Sequence, residues 1–486
     1  MAVNKISLEN VELNLGKLLE KHPELQIERD DYNINVTANY GNKLKPEEVF
    51  EHYIRHDGAG KPAHLYFHVP LCSYICHFCN YVKKLLPENE EKQKVLDQWT
   101  NLLIEESNRY LQSVSWLGKA KIESFYIGGG TASLLWKPQL KKILDHVRNN
   151  YDLTDDCELT LEGNPDNFQN DELEDALELG FNRFSVGVQS LQDEVTKFVG
   201  RKHDREMSLK AIHKLLQTGK PFNVDIIFGL PYQTPQSVAE DIRTLCDLGV
   251  PTITIYRLRN ADRQSMGIGN RSVWNIKSVR ERLEEQGLFP TLHETYAMRE
   301  EILKVFLEFN YWPSPCGWWS KPGTYPDGNI PRVSRNKWQR YDTMIAFGPG
   351  AYGWLTGGSD TVIQTHNISD ISQYVAHMEN KTTVPLAFGR LLSGHEAVAT
   401  ALGFNFKANQ PIELERYRKQ FGIDLLEDEP YRSIFDELLN KGLISLMEDK
   451  SALLPTLDGE ALHEEIISVY LHQRIGMHPE PLCRRF

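Results

Sequence analysis

Cysteine is scarce in this chain of 486 residues. There are seven, an odd number, and three of them crowd into the eight positions from Cys72 to Cys79. That distribution excludes a disulfide framework and fits a reducing, cytosolic setting. Long apolar runs are lacking too. No stretch of about 18 apolar residues could cross a membrane, and Met1 to Glu20 mixes charges with leucine instead of presenting a signal-peptide core. Positive charge is in deficit, with 54 Lys and Arg against 67 Asp and Glu, a net −13. A chain so acidic is not a non-specific nucleic-acid binder, which needs clustered Lys and Arg. Repeats and low-complexity tracts are missing. What remains is a globular composition, 41% hydrophobic and 25% charged, with length for about three domains or for one large α/β barrel plus an appendage.

Residues 1–60 read as a polar N-terminal extension. From there to about residue 300, short β-rich runs alternate with amphipathic stretches. Strands are expected at 63–69, 121–128, 157–162, 183–189, 222–229 and 252–258. Helices fit 137–150, 170–179, 204–218 and 234–247, and Leu96, Trp99, Leu103 and Tyr110 form one helical stripe. Asp204 and Thr234-Pro235 are start signals and Gly219 is a stop. Six such units predict a parallel α/β sheet, most of a barrel but not a closed eightfold one. One phase of these strands is polar: His64, Tyr66 and His68; Glu158, Thr160 and Glu162; Ser185, Gly187 and Gln189; Asn223 and Asp225. Buried parallel strands are usually apolar on both faces, so the pattern predicts a lumen that holds a polar ligand. Special residues gather at strand C-termini, where α/β barrels place their chemistry.

Residues 301–385 are aromatic, Pro- and Gly-rich, with Trp312, Trp318, Trp319, Trp338 and Trp354, and 347–353 reads as a tight loop. This region is expected to connect and close the site. From about 386 the chain is expected to turn helical, and 386–486 to form a small winged-helix-like domain. Cys157, Cys246, His203 and His213 read as packing or surface residues and Cys483 as part of the tail. Cys316, in an aromatic loop, is either inert or a hydrogen-atom donor on the substrate side.

Cys72-Ser73-Tyr74-Ile75-Cys76-His77-Phe78-Cys79 follows the first strand directly. Thiolates suit zinc or iron–sulfur. Structural zinc normally wants four ligands, and cubane clusters usually take four cysteines. Three close thiols would leave one iron open.

This Cys-x3-Cys-x2-Cys pattern resembles the radical S-adenosylmethionine (SAM) superfamily. Tyr66-Phe67-His68-Val69-Pro70-Leu71-Cys72 resembles the entry motif of its oxygen-independent coproporphyrinogen III oxidase-like family, across about residues 60–470. The resemblance implies a partial (β/α)6 barrel with a helical C-terminal domain. Cys72, Cys76 and Cys79 would hold a [4Fe–4S] cluster whose open iron chelates SAM, and reductive cleavage would give a 5′-deoxyadenosyl radical. It further implies SAM contacts for Tyr66, Phe78, Gly129, Gly130, Thr131, Glu162, Gln189, Arg201, Asp225 and Ile227. Tyr66 is also placed with the catalytic cysteines.

Three branches of that family are in view. Coproporphyrinogen oxidases usually add a cysteine two residues after the third, where this chain has Asn80-Tyr81. Heme chaperones resemble His-Asn-x-x-Tyr-Trp where this chain reads Ser334-Arg335-Asn336-Lys337-Trp338, with Arg in place of the ligand. Class C methyltransferases act on planar aromatics or tetrapyrroles and bind two SAM molecules. The departures favour this third branch, with the Trp-rich segment available to stack a planar substrate. Coproporphyrinogen dehydrogenation and heme chaperoning stay as alternatives. A low-potential flavodoxin or ferredoxin is the expected electron donor, with no nucleic-acid partner.

Overall fold

The computed structural model describes residues 14–27, 41–258, 277–314, 318–322, 330–356, 361–407 and 411–475. Six strands stand where the alternation puts them: β1 (Pro62–Val69), β2 (Lys121–Gly129), β3 (Asp152–Gly163), β4 (Arg183–Gln189), β5 (Phe222–Phe228) and β6 (Thr252–Arg257). They pair in sequential order and all in parallel. A seventh parallel strand, β7 (Thr343–Phe347), lies on the other side of β1. The sequence reading stops at six because these five residues sit inside the aromatic, Gly- and Pro-rich stretch. The sheet continues antiparallel through β8 (Tyr352–Thr356), β9 (Val362–Asn367) and β10 (Leu386–Leu392). β10 corrects the expectation of helix from 386: its edge pairs with β9, and helix begins at His395. At the opposite edge Trp318–Ser320 pairs antiparallel with β6.

The connecting helices include α1 (Lys92–Ser113), α2 (Lys137–Asn150), α3 (Glu172–Leu179), α4 (Arg205–Thr218) and α5 (Pro235–Asp247). Their ends follow the local chemistry. The Asp204 carboxylate accepts from Met207 N–H, Thr234 Oγ1 accepts from Ser237 N–H, and Gly219 closes α4 at φ +64°. Later helices are α6 (Leu292–Glu308), α7 (Arg332–Gln339), α8 (Ile371–Asn380) and α9 (His395–Lys407). Beyond α9, a three-stranded sheet packs with helices Leu414–Phe421 and Tyr431–Asn440 in a winged-helix-like arrangement. No helix among the described residues is long and apolar enough to span a membrane.

The two strand phases separate cleanly. Leu65, Phe67, Phe125, Ile127, Phe184, Val186, Val224 and Ile226 are buried in the main core. Each such side chain contributes about 1.5–3 kcal/mol of apolar burial. Leu96, Trp99, Leu103 and Tyr110 of α1 join the same core. Cys157 and Cys246 are buried, while His203 is buried and His213 is exposed, as packing residues should be. The tryptophans divide. Trp319 stacks on Phe306 at 4.8 Å and 4°, and Trp354 packs 5.4 Å from Phe404, so both are core and not substrate platforms. Cys316, Cys483 and the Trp338 side chain lie outside the described residues.

Candidate active site

The polar strand phase lines a cavity of about 390 Å³. Tyr66, Tyr126, Glu162, Gln189, Asp225, Ile227 and Gly129 form its strand wall, and Phe78, Cys79 and Asn80 of the cysteine loop close one end. The loop is tethered at both sides of its turn. Lys84 N–H donates to the Pro70 carbonyl at 2.6 Å and Leu86 N–H to the Cys72 carbonyl at 2.9 Å. The Lys83 ammonium donates to the Cys79 carbonyl at 2.6 Å. Cys72 is buried, and Cys76 and Cys79 are half-buried; none of the three is in a disulfide. Burial, and then the neighbouring Cys79, push the Cys72 thiol up to about 12.

These residues fit an iron–sulfur cluster. Three soft ligands share one loop, near enough for Cys79 and Cys76 to act on Cys72, and a cationic metal centre would reverse the thiol's reluctance to ionise. The buried Ser73 Oγ inside the loop has no hydrogen-bond partner. Gly130 passes so close that a Cβ there would lie 2.9 Å from Cys72 Sγ and 2.6 Å from the Leu71 carbonyl oxygen. Only glycine permits that approach.

The remaining expected residues assemble around this loop. The Val82 carbonyl lies 3.0 Å from His68 Nε2 and can only accept, so Nε2 carries the proton and Nδ1 accepts from the Tyr66 hydroxyl at 3.0 Å. Tyr126 donates its hydroxyl to Glu162 at 3.0 Å. Burial, and then Asp225, push Glu162 up to about 7; burial pushes Asp225 up to about 6. Gln189 sits at φ +70°, a conformation that a non-glycine residue holds only where its surroundings impose it. Gly130, Thr131 and Arg201 lie behind the cavity wall, packed around the cysteine loop.

Other residues at the site were not among the expected SAM contacts. Asn164 bridges the site, donating to Thr131 Oγ1 at 3.2 Å and accepting from Arg201 at 3.0 Å. Its place in an Asn-Pro pair at a strand end is the one hint. Asn223 links Ser185, Asp225 and Arg183 across the lumen. Trp318, Ser334, Lys337, Met344 and Tyr352 also line the cavity. Arg335 is half-buried and donates to Asn336 Oδ1 at 3.2 Å. At the N-terminal ends of the strands His64, Glu123 and Asp342 gather, but Arg340 bridges the two carboxylates and supplies the cation.

Residues 66–245 match the model of the Radical SAM superfamily. That stretch is a radical SAM domain. Over most of its length the chain is similar to heme chaperones and, over part of it, to coproporphyrinogen III oxidases. It is 24% identical over 410 residues to the heme chaperone HemW of Bacillus subtilis, covering 84% of this chain and 98% of the relative. It is 29% identical over 221 residues to an anaerobilin synthase of Escherichia coli O157:H7, covering 45% of this chain and 48% of that one. The solved coproporphyrinogen III oxidase (HemN) of Escherichia coli shares the fold, with a TM-score of 0.72 over 91% of this chain and 99% of that one at 19% identity. Members of the superfamily bind a [4Fe–4S] cluster and SAM.

Proposed function

We propose that this chain uses SAM to modify a planar aromatic or tetrapyrrole-like substrate by methyl or other one-carbon transfer of the class C type. The observation that carries the reading is the mixed lining of one cavity. Residues of the cysteine loop and of the polar strand phase line it together with Trp318, Met344 and Tyr352, whose apolar and aromatic surface suits a flat ring system. Similarity to a heme chaperone and to an anaerobilin synthase supports a tetrapyrrole.

In this reading Cys72, Cys76 and Cys79 hold the cluster by three irons. Gly129, Gly130 and Thr131 face the methionyl amino group, and Glu162 contacts SAM. Gln189 contacts SAM, Arg201 faces its carboxylate, and Asp225 its ribose hydroxyls. Tyr66, Phe78 and Ile227 complete its enclosure. When bound, the cluster and SAM supply radical chemistry through reductive cleavage of the sulfonium. The protein's part is to hold, orient and keep water out. A second SAM as methyl source, and a flavodoxin or ferredoxin as electron donor, belong to the same proposal.

Heme handling is the second reading, favoured by the chaperone relative that matches most of the chain; Arg335 stands where that branch resembles a histidine ligand. Coproporphyrinogen dehydrogenation is the third. One experiment separates them. The protein is reconstituted anaerobically with iron and sulfide and reduced with dithionite, then given SAM with heme or coproporphyrinogen, and products are read by mass spectrometry. The proposal expects 5′-deoxyadenosine and a substrate-derived product with added carbon, both lost in Cys76→Ala. A stoichiometric Soret complex with no SAM cleavage would establish heme handling, and protoporphyrinogen the dehydrogenase.

A further inference from the structure

The cysteine loop is braced by the segment that follows β4. His77 N–H donates to the Val199 carbonyl at 3.0 Å. Gly200, at φ +79°, runs against the loop: a Cβ there would meet the Ile75 carbonyl oxygen at 3.0 Å and His77 Nε2 at 3.2 Å. Arg201 comes next, its N–H fixed on the Thr196 carbonyl at 2.9 Å. Its guanidinium turns toward the cysteines. Nη1 stands 3.5 Å from Cys76 Sγ. Nη2 donates to Asn164 Oδ1 at 3.0 Å and to the Gly187 carbonyl, and the guanidinium lies 5.7 Å from the Tyr74 ring. Nε is buried without a hydrogen-bond partner. No carboxylate among the described residues forms an ion pair with this guanidinium; Asp166 acts on it only through space, and the Cys76 sulfur is the ionisable group it hydrogen-bonds.

We propose that Arg201 is a redox-positioning residue: its charge-assisted N–H···S contact to Cys76 raises the reduction potential of the bound cluster. This rests on the cysteines carrying that cluster. One-electron reduction adds a negative charge spread over iron and sulfur, and no bond to Arg201 forms or breaks. A cation and a hydrogen bond at a ligand sulfur favour the more negative state, and both are recognised controls of cluster potential. The planar fork matters because one head group must reach Cys76 and Asn164 together, which a lysine ammonium on a flexible stem does not reproduce.

The test is a redox titration followed by electron paramagnetic resonance on anaerobically reconstituted wild type, Arg201→Gln and Arg201→Lys, without SAM so that contacts to SAM play no part. Iron and sulfide are counted first. At the wild-type midpoint, Arg201→Gln should show at least tenfold less reduced relative to oxidised cluster, about 59 mV for one electron, with Arg201→Lys in between. Either variant fully loaded at the wild-type potential overturns the proposal. So does loss of loading in both with the fold intact by circular dichroism, which would make Arg201 a loading residue. Wild type that takes up no iron–sulfur cluster would instead bring down the family reading of the cysteines.

Discussion

Glu106 shows what one carboxyl can do when buried without a cation bonded to it. It lies in the middle of α1, fully enclosed. It accepts from Gly348 N–H at 2.8 Å, Asn367 Nδ2 at 2.7 Å and the Tyr374 hydroxyl at 2.6 Å. These three donors fix the turn after β7, whose Gly350 and Ala351 line the cavity. Burial pushes Glu106 up to about 7 from an ordinary 4.5. The folded protein therefore holds a proton there that the unfolded chain has released. The residue's contribution is fully present below about pH 4.5, declines as pH rises, and levels off above about 7. Glu106→Gln removes this titration and costs about 1–3 kcal/mol for the mismatched donors at low pH. Across pH 5–8 the stability advantage of wild type over the variant should shrink by about 2–3 kcal/mol. Urea unfolding at a series of pH values measures it, and a difference that stays flat refutes the assignment.

At the scale of the strand, the two phases answer to different demands. In β5, Val224 is pure core, while its neighbour Asp225 faces the lumen and holds a carboxylate where burial penalises charge. Asp225→Asn keeps the shape and the bonds to Asn223 and Ser185. At pH 7.5 it should be as stable as wild type or up to about 3 kcal/mol more so, because the desolvated charge is gone. It should bind SAM at least about tenfold more weakly, the loss of a charged hydrogen bond. Thermal unfolding and equilibrium dialysis read the two effects, and destabilisation with unchanged SAM binding would make Asp225 structural. This division was legible beforehand because period-two alternation records which face each residue serves. β7 and β10 were not. Thr343–Phe347 is short and sits among turn residues, and Leu386–Leu392 acquires its strand identity from pairing with β9, a partner that local sequence does not announce. The cysteines, Glu162, Gln189 and Asp225 stood out by motif and strand position. Asn164 and Glu106 did not, and Asn223 stood out only as a lumen-facing residue, since a lone polar residue shows its bonds only once the fold brings distant donors to it.

The whole molecule is tied together by a buried ionic knot that no local pattern could reveal. Arg257 at the end of β6 and Arg299 of α6 both reach Glu465, at 3.3 Å and 2.8 Å, and Arg299 also holds Glu464 at 2.9 Å. The Tyr296 hydroxyl donates to Glu465 at 3.2 Å, and Arg257 donates to the Ile27 carbonyl at 3.1 Å. Barrel edge, C-terminal helix and N-terminal segment thus meet at Arg257, which also lines the cavity. Burial works against the Glu465 charge, but Arg299 and Arg257 outweigh it and hold the carboxyl below its usual range. Burial, and then the charged Glu465, drive Glu464 upward. The two acids therefore predict opposite costs. Glu465→Ala strands two guanidiniums in the interior and should cost about 3–5 kcal/mol. Glu464→Gln replaces a carboxyl that favours its proton and should cost under about 1 kcal/mol. Since Glu465 stays ionised down to acid pH, its cost should be constant from pH 5 to 8. Denaturant unfolding gives the two values. Limited proteolysis shows where the loss falls, with Glu465→Ala cut faster at the junction to the C-terminal helices than wild type or Glu464→Gln. The reverse ranking would mean that Glu464 carries the charge and that the knot is wired through Arg299 alone.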